Sequence, residues 1–149
     1  MESRTSSYFE VKVCYIKTDD NGRSKKVTEL YAIDAMSFTE AETRITTELD
    51  PTMSFTIKAI TRAAYHEVIT DDDINAIGKY YKVKVAYITI DDDGKENRSI
   101  ATYLVQSESL DAVKRILDVY FANSMTDWEK VSVVETKVLG VFFHKPCQY

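Results

Sequence analysis

The chain has 149 residues, of which 44% are hydrophobic and 29% charged, with four glycines and two prolines. That excludes a low-complexity polymer and fits one globular domain or two small fused ones. The net charge of −5, from 24 acidic against 19 basic residues, disfavours non-specific binding to nucleic acid or anionic membranes, which is driven by positive charge.

Residues 1–7 are a polar leader, MESRTSS, with no basic region followed by an apolar stretch, and no segment reaches the ~18 apolar residues of a membrane span. The first repeat takes residues 8–69. Phe9, Val11, Val13 and Tyr15 alternate with Glu10, Lys12 and Cys14, the period of a half-buried strand. Asp19, Asp20, Asn21 and Gly22 supply a tight hairpin turn with a residue pair that tolerates positive φ. A second strand is predicted from about Lys26 to Ile33. Ser37 and Glu40 open a helix as a capping box, with Phe38, Ala41, Ile45 and Leu49 on one face. Asp50 and Pro51 stop it. Phe55 to Ile69 then reads FTIKAITRAAYHEVI, one bent strand or two short ones.

Residues 70–79 are an acidic linker containing Asp71, Asp72 and Asp73. The second repeat occupies 80–143 and a short tail 144–149. YFEVKVCYIKTDDNG from Tyr8 returns 72 residues later as YYKVKVAYITIDDDG from Tyr80. Its return strand runs from Ile100 to Val105, and Leu110, Val113, Ile116, Leu117 and Tyr120 mark the apolar face of its helix. The last strand, Lys130 to Phe143, matches Lys58 to Ile69. Allowing one deletion, Ser109 aligns with Ser37 and Arg115 with Arg44. The predicted class is α+β: two tandem strand-strand-helix-strand repeats that share a core and fuse into a mostly antiparallel sheet with both helices on one face, pseudo-twofold. Two sheets packed face to face are the alternative.

The motifs carry a resemblance. The aromatic pair and VKVxYI strand of Tyr8 to Ile16, the turn Asp19 to Gly22, the helix opening in Tyr31 to Ile45 and the strand Lys58 to Glu67 resemble an uncharacterised domain-of-unknown-function family of Bacteroidetes and their phages. The resemblance implies a setting, a phage or mobile-element protein in a bacterial cytoplasm. It carries over no catalytic or binding residue.

The residues do not assemble a catalytic set. Gly22 or Gly94 at the sixth position of a calcium loop puts Lys17 or Thr89 first and Thr28 or Ile100 twelfth, so both key carboxylates are missing. His66 and His144 lack ligand spacing. There is no G-x-S-x-G, no P-loop and no GxGxxG. With Cys14 and Cys147 the only cysteines, and Ala86 opposite Cys14 in the repeat, no repeated disulfide is implied and a reducing compartment is the simpler setting. No metal or cofactor is expected.

Binding is the expected function, and the duplication predicts that binding residues come in pairs or where the copies disagree. The candidate pairs are Lys12 with Lys84, Tyr31 with Tyr103, and Arg44 with Arg115; the disagreements are Cys14 against Ala86 and Glu10 against Lys82. The expected partner is a protein or a small nucleotide-like ligand, consistent with a counter-defence role that sequesters a nucleotide signal or blocks a host protein, and the sheet edges offer a route to self-association. Single-stranded nucleic acid is the runner-up, because aromatic and basic residues on a sheet can stack bases and follow phosphates. Against it, Tyr15 and Tyr87 share parity with core valines while Lys12 and Lys84 point the other way.

Overall fold

A computed structural model describes residues 7–49, 52, 54–70 and 78–143. Asp50, Pro51, the Asp71 to Asp73 run, His144 and Cys147, all used in the sequence reading, lie outside the described residues.

Among the described residues, eight strands and two helices follow one another as β1 (Ser7–Thr18), β2 (Ser24–Ala35), α1 (Phe38–Glu48), β3 (Phe55–Ala63), β4 (Tyr65–Ile69), β5 (Lys79–Ile90), β6 (Glu96–Ser107), α2 (Leu110–Tyr120), β7 (Asp127–Glu135) and β8 (Val138–Phe142). The long strands alternate as their sequence requires, with Phe9, Val11 and Val13, and likewise Tyr81, Val83 and Val85, buried on the helix-covered face. Both hairpins close alike. Asp19 accepts the Gly22 amide at 3.0 Å through its carbonyl, while its side chain accepts the Asn21 and Arg23 amides at 3.0 and 2.8 Å. Asp91 does the same for Gly94, Asp93 and Lys95. Among described residues, only Gly22 and Gly94 take positive φ, at 80° and 78°, so the glycine alone supplies the left-handed residue of the turn.

The helices begin where the capping serines place them. Ser37 accepts from the Glu40 amide at 3.1 Å and Ser109 from the Ala112 amide at 3.2 Å. Glu40 reaches back one residue further than a standard capping box, to the Met36 amide at 3.3 Å. Each helix lays its apolar stripe on its own sheet: Ala41, Ile45 and Leu49 in the first, Val113, Leu117 and Phe121 in the second. Phe38, Leu110 and Tyr120, expected on those stripes, are each 48% exposed.

The expectation of one continuous antiparallel sheet is corrected. The strands form two four-stranded sheets, β3-β1-β2-β8 and β4-β6-β5-β7, each mixed, because one edge strand in each is parallel. The chain divides into two units, one reaching to Ala63 and resuming at Lys137, the other Ala64–Thr136. The segment after the helix is therefore two strands that enter different sheets. β3 pairs antiparallel with β1, then β4 pairs parallel with β6; reciprocally, β7 pairs with β5 and β8 with β2. An exchanged strand, rather than the neighbouring repeat's sheet, fills one edge of each sheet. Each unit has its own buried cluster, built around Phe9, Ile33 and Ile45 in the first and Tyr103, Val105 and Leu117 in the second.

The copies agree even in their irregularity. The β1–β3 register shifts between Lys12 and Val13, and the β5–β7 register shifts between Lys84 and Val85. These β-bulges leave Lys58 and Val131 as the extra residues. The offset between copies is 72 through the helix and 73 from β3 onward, since Tyr15 faces Phe55 where Tyr87 faces Trp128.

Candidate anion-binding groove

On β1, Lys12, Cys14 and Ile16 alternate with the core-facing valines and so lie on the face turned away from α1; Lys26 stands directly across from Ile16, and Thr56 across from Cys14. The bulge brings Lys58 to the same neighbourhood, where a side-chain hydrogen bond with Lys26, then the charge of Lys26 and, least, that of Lys12 lower its pKa. Around these residues a groove of about 1140 Å³ opens, lined among the described residues by Cys14, Lys25, Lys26, Phe55, Thr56 and Lys58 with others, none of them a carboxylate. Among the described residues Lys26 and Lys58 form no ion pair. In a chain of net charge −5 this is a local concentration of positive charge.

The same lattice positions in the second unit hold different chemistry. Arg98 occupies the place of Lys26, opposite Ile88; Glu129 that of Thr56, opposite Ala86; Val131 that of Lys58. Arg98 and Glu129 are joined in an ion pair. The second unit thus neutralises its cation with its own side chain, and the first does not.

A second difference lies on the helix-covered face. Tyr15 and Tyr31 both donate to Glu29, at 2.6 and 2.5 Å, and Tyr31 stacks on Phe142 at 5.5 Å. Its hydroxyl is pushed well above the usual tyrosine range, first by burial and then by Glu29; the hydrogen bond to Glu29 raises that of Tyr15. In the second unit Ala101 replaces Glu29 in the register, Tyr87 and Tyr103 bond each other through their hydroxyls, and burial raises the pKa of Tyr103. Tyr103 also meets the rings of His66, Tyr120 and Phe121 edge-on. These tyrosines are satisfied parts of a core.

The six residues singled out from the sequence are placed as follows. Lys12 is exposed beside the groove and contributes to its potential; Lys84 is its exposed counterpart on β5. Tyr31 and Tyr103 belong to the two cores. Arg44 donates to the Asp34 carbonyl at 2.6 Å and to the carbonyl of Phe143, tying α1 to β2 and to the end of β8. Arg115 is exposed. The serine caps and the buried Ile45 and Leu117 align the helices without a deletion, so Ile116, not Arg115, is the counterpart of Arg44. The groove residues Lys26, Thr56 and Lys58 were absent from the sequence-derived set, although the disagreement at Cys14 and Ala86 pointed to their neighbourhood.

Among the described residues, no group of three or more histidine, cysteine, aspartate or glutamate side chains is placed to share a metal ion, and no helix is long and apolar enough to cross a membrane. A family model described as Domain of unknown function (DUF4494) matches residues 7–145. No curated protein and no solved structure matches the chain. The match spans nearly the full length, and the chain belongs to that family.

Proposed function

We propose that this member of the DUF4494 family is a non-enzymatic binding protein of the bacterial cytoplasm that holds a small anionic, nucleotide-like ligand in the groove of its first unit. The observation that supports the reading is that Lys26 and Lys58 line one groove, with no ion pair among the described residues, at positions where the second unit supplies the Arg98–Glu129 ion pair and Val131. Like charges held together cost free energy that an anion removes. The other organised polar side chains serve the scaffold: Asp19 and Asp91 close turns, Glu29 satisfies two phenols, and Arg44 caps carbonyls. The motif resemblance implies a Bacteroidetes phage or mobile element as the setting, and sequestering a nucleotide signal against host defence is the role that fits an anion-binding groove in that setting.

Thermal shift against a panel of nucleotides and inorganic anions tests it. A ligand at 100 times its dissociation constant adds about 2.7 kcal/mol of stability, and the shift is expected to vanish in Lys26→Gln/Lys58→Gln. A flat panel, or a shift that survives the double substitution, contradicts the reading. Single-stranded nucleic acid as partner makes a different prediction, anisotropy of a labelled oligonucleotide rising at low salt, where the phosphate contribution is strongest.

A further inference from the structure

We propose that the two repeats are obligate strand-exchange partners and that a second copy of this chain can take the place of either. Residues 8–69 of one copy then fold with residues 80–143 of the other, and the reverse, closing a strand-exchanged dimer.

The connectivity forbids a repeat from closing its own sheet. β3 runs antiparallel to β1 and β1 antiparallel to β2, so β3 is parallel to β2, and the strand that fills the far edge beside β2 is parallel to it as well. The second sheet repeats the pattern with β7, β5, β6 and β4. Joining two strands of the same direction within one sheet takes a crossover of about a dozen residues or more. Only Ala64 lies between β3 and β4, and only Thr136 and Lys137 between β7 and β8. The far edge is also three strand spacings away, about 14 Å, whereas the two steps from Ala63 to Tyr65 reach at most about 7 Å. β4 therefore goes to the β6 edge and β8 to the β2 edge, each from the other repeat.

The exchange is reciprocal residue by residue. Val138, Gly140, Val141 and Phe142 stand against Leu30, Tyr31, Ala32 and Ile33, while Tyr65, Glu67, Val68 and Ile69 stand against Thr102, Tyr103, Leu104 and Val105, with the same slip after the first pair. Partners that each give what they receive form the interface of a twofold dimer, carried here on one chain. The two edges nevertheless read different strands. At the β2 edge Phe142 stacks on Tyr31 and the Arg44 guanidinium donates to the Phe143 carbonyl. At the β6 edge His66 meets the Tyr103 ring edge-on, and Ile116 stands where Arg44 does. Glu67 takes the place of Gly140, so β4 at the β2 edge would set a carboxylate beside Tyr31, whose hydroxyl Glu29 already holds. The first repeat is thus matched to the second and not to itself, and the partner is a second copy of the whole chain. A tether between repeats supplies an effective concentration on the order of millimolar, and a second copy competes as its own concentration approaches that value.

Refolding the full chain from urea at micromolar and at millimolar concentration, with masses read by light scattering, tests this. Monomer is expected from the dilute sample, and roughly comparable amounts of monomer and dimer from the concentrated one. Native monomer concentrated to the same level without unfolding is expected to stay monomeric. Two full-length variants locate the exchanged strand, Ala32→Cys in one and Val141→Cys in the other, both carrying Cys14→Ala, the residue of the second unit, and Cys147→Ala. Ala32 and Val141 are register neighbours, so a disulfide joins the two chains only when β8 of one lies on β2 of the other. That bond is expected after co-refolding at the higher concentration and not after mixing folded monomers. Monomer alone at both concentrations overturns the second copy as partner. A dimer that forms from native monomer overturns strand exchange in favour of surface association. So does a dimer without the interchain bond, when a single chain bearing both cysteines bonds internally.

Discussion

Glu29 accepts two tyrosine hydroxyls in the first unit, whereas Ala101 stands at that place in the second and Tyr87 bonds Tyr103 directly. On the opposite face of the same sheets, Lys26, Thr56 and Lys58 stand where Arg98, Glu129 and Val131 do. Much of the rest is nearly the same: the aspartate-closed turns, the serine caps, the bulge opposite Lys12 and Val13 and its copy opposite Lys84 and Val85, and the parallel exchanged strand. Positions that backbone geometry and core packing require are therefore held in common. The second unit settles its polar groups internally. The first satisfies its phenols with a carboxylate but leaves its groove positive, and that contrast separates scaffold from site.

The largest effects are expected from the two cores. Ile45→Ala and Leu117→Ala each remove a fully buried side chain, at an expected cost of about 2–5 kcal/mol. Because each unit has its own buried cluster, native-state hydrogen exchange should lose protection first in β1–β3 for Ile45→Ala and in β5–β7 for Leu117→Ala. Equal loss in both units by either substitution would show a single cooperative core.

Next in size is Glu29→Ala, which gives the first unit the residue of the second. Two phenols lose their acceptor, and a destabilisation of about 1–3 kcal/mol is expected in urea unfolding. A loss below about 0.5 kcal/mol would show that Tyr15 and Tyr31 can bond each other as Tyr87 and Tyr103 do. The pH dependence follows from the same groups. Tyr31 and Tyr103 have folded-state pKa values raised above the unfolded value of about 10. Their contribution is full below pH 10 and is lost as pH rises beyond it, because the unfolded chain ionises first. Urea midpoints should thus fall above pH 10, and less steeply in Tyr31→Phe. The smallest effect belongs to Glu129→Gln: its ion pair with Arg98 is about half exposed, at 46% and 53%, and its loss should change stability by no more than about 0.5 kcal/mol.

Much of this fold is written locally. The alternation of Phe9 to Tyr15, the glycines at 22 and 94 and the serines at 37 and 109 each specify their element by period, φ or capping. The strand exchange is not. FTIKAITRAAYHEVI carries neither glycine nor proline where β3 ends and β4 begins, and the parallel pairing of β4 with β6 is decided by residues far away in the chain. The groove was hidden by a single residue. At a fixed offset of 72 Lys58 falls opposite Lys130, a lysine in both copies, and only the offset of 73 set by the bulged register exposes Lys58 against Val131 and Thr56 against Glu129. Arg44 was paired with Arg115 by a deletion, an offset of 71, where the caps and buried residues hold the helices at 72.

If the first unit carries an anion site and its counterpart in the second is closed, the stoichiometry of ADP binding to the wild-type chain reads it out. One site per chain, removed by Thr56→Glu and untouched by Lys84→Gln on the second unit, is the predicted result. Two equivalent sites, or one that responds to Lys84→Gln and ignores Thr56→Glu, would contradict it.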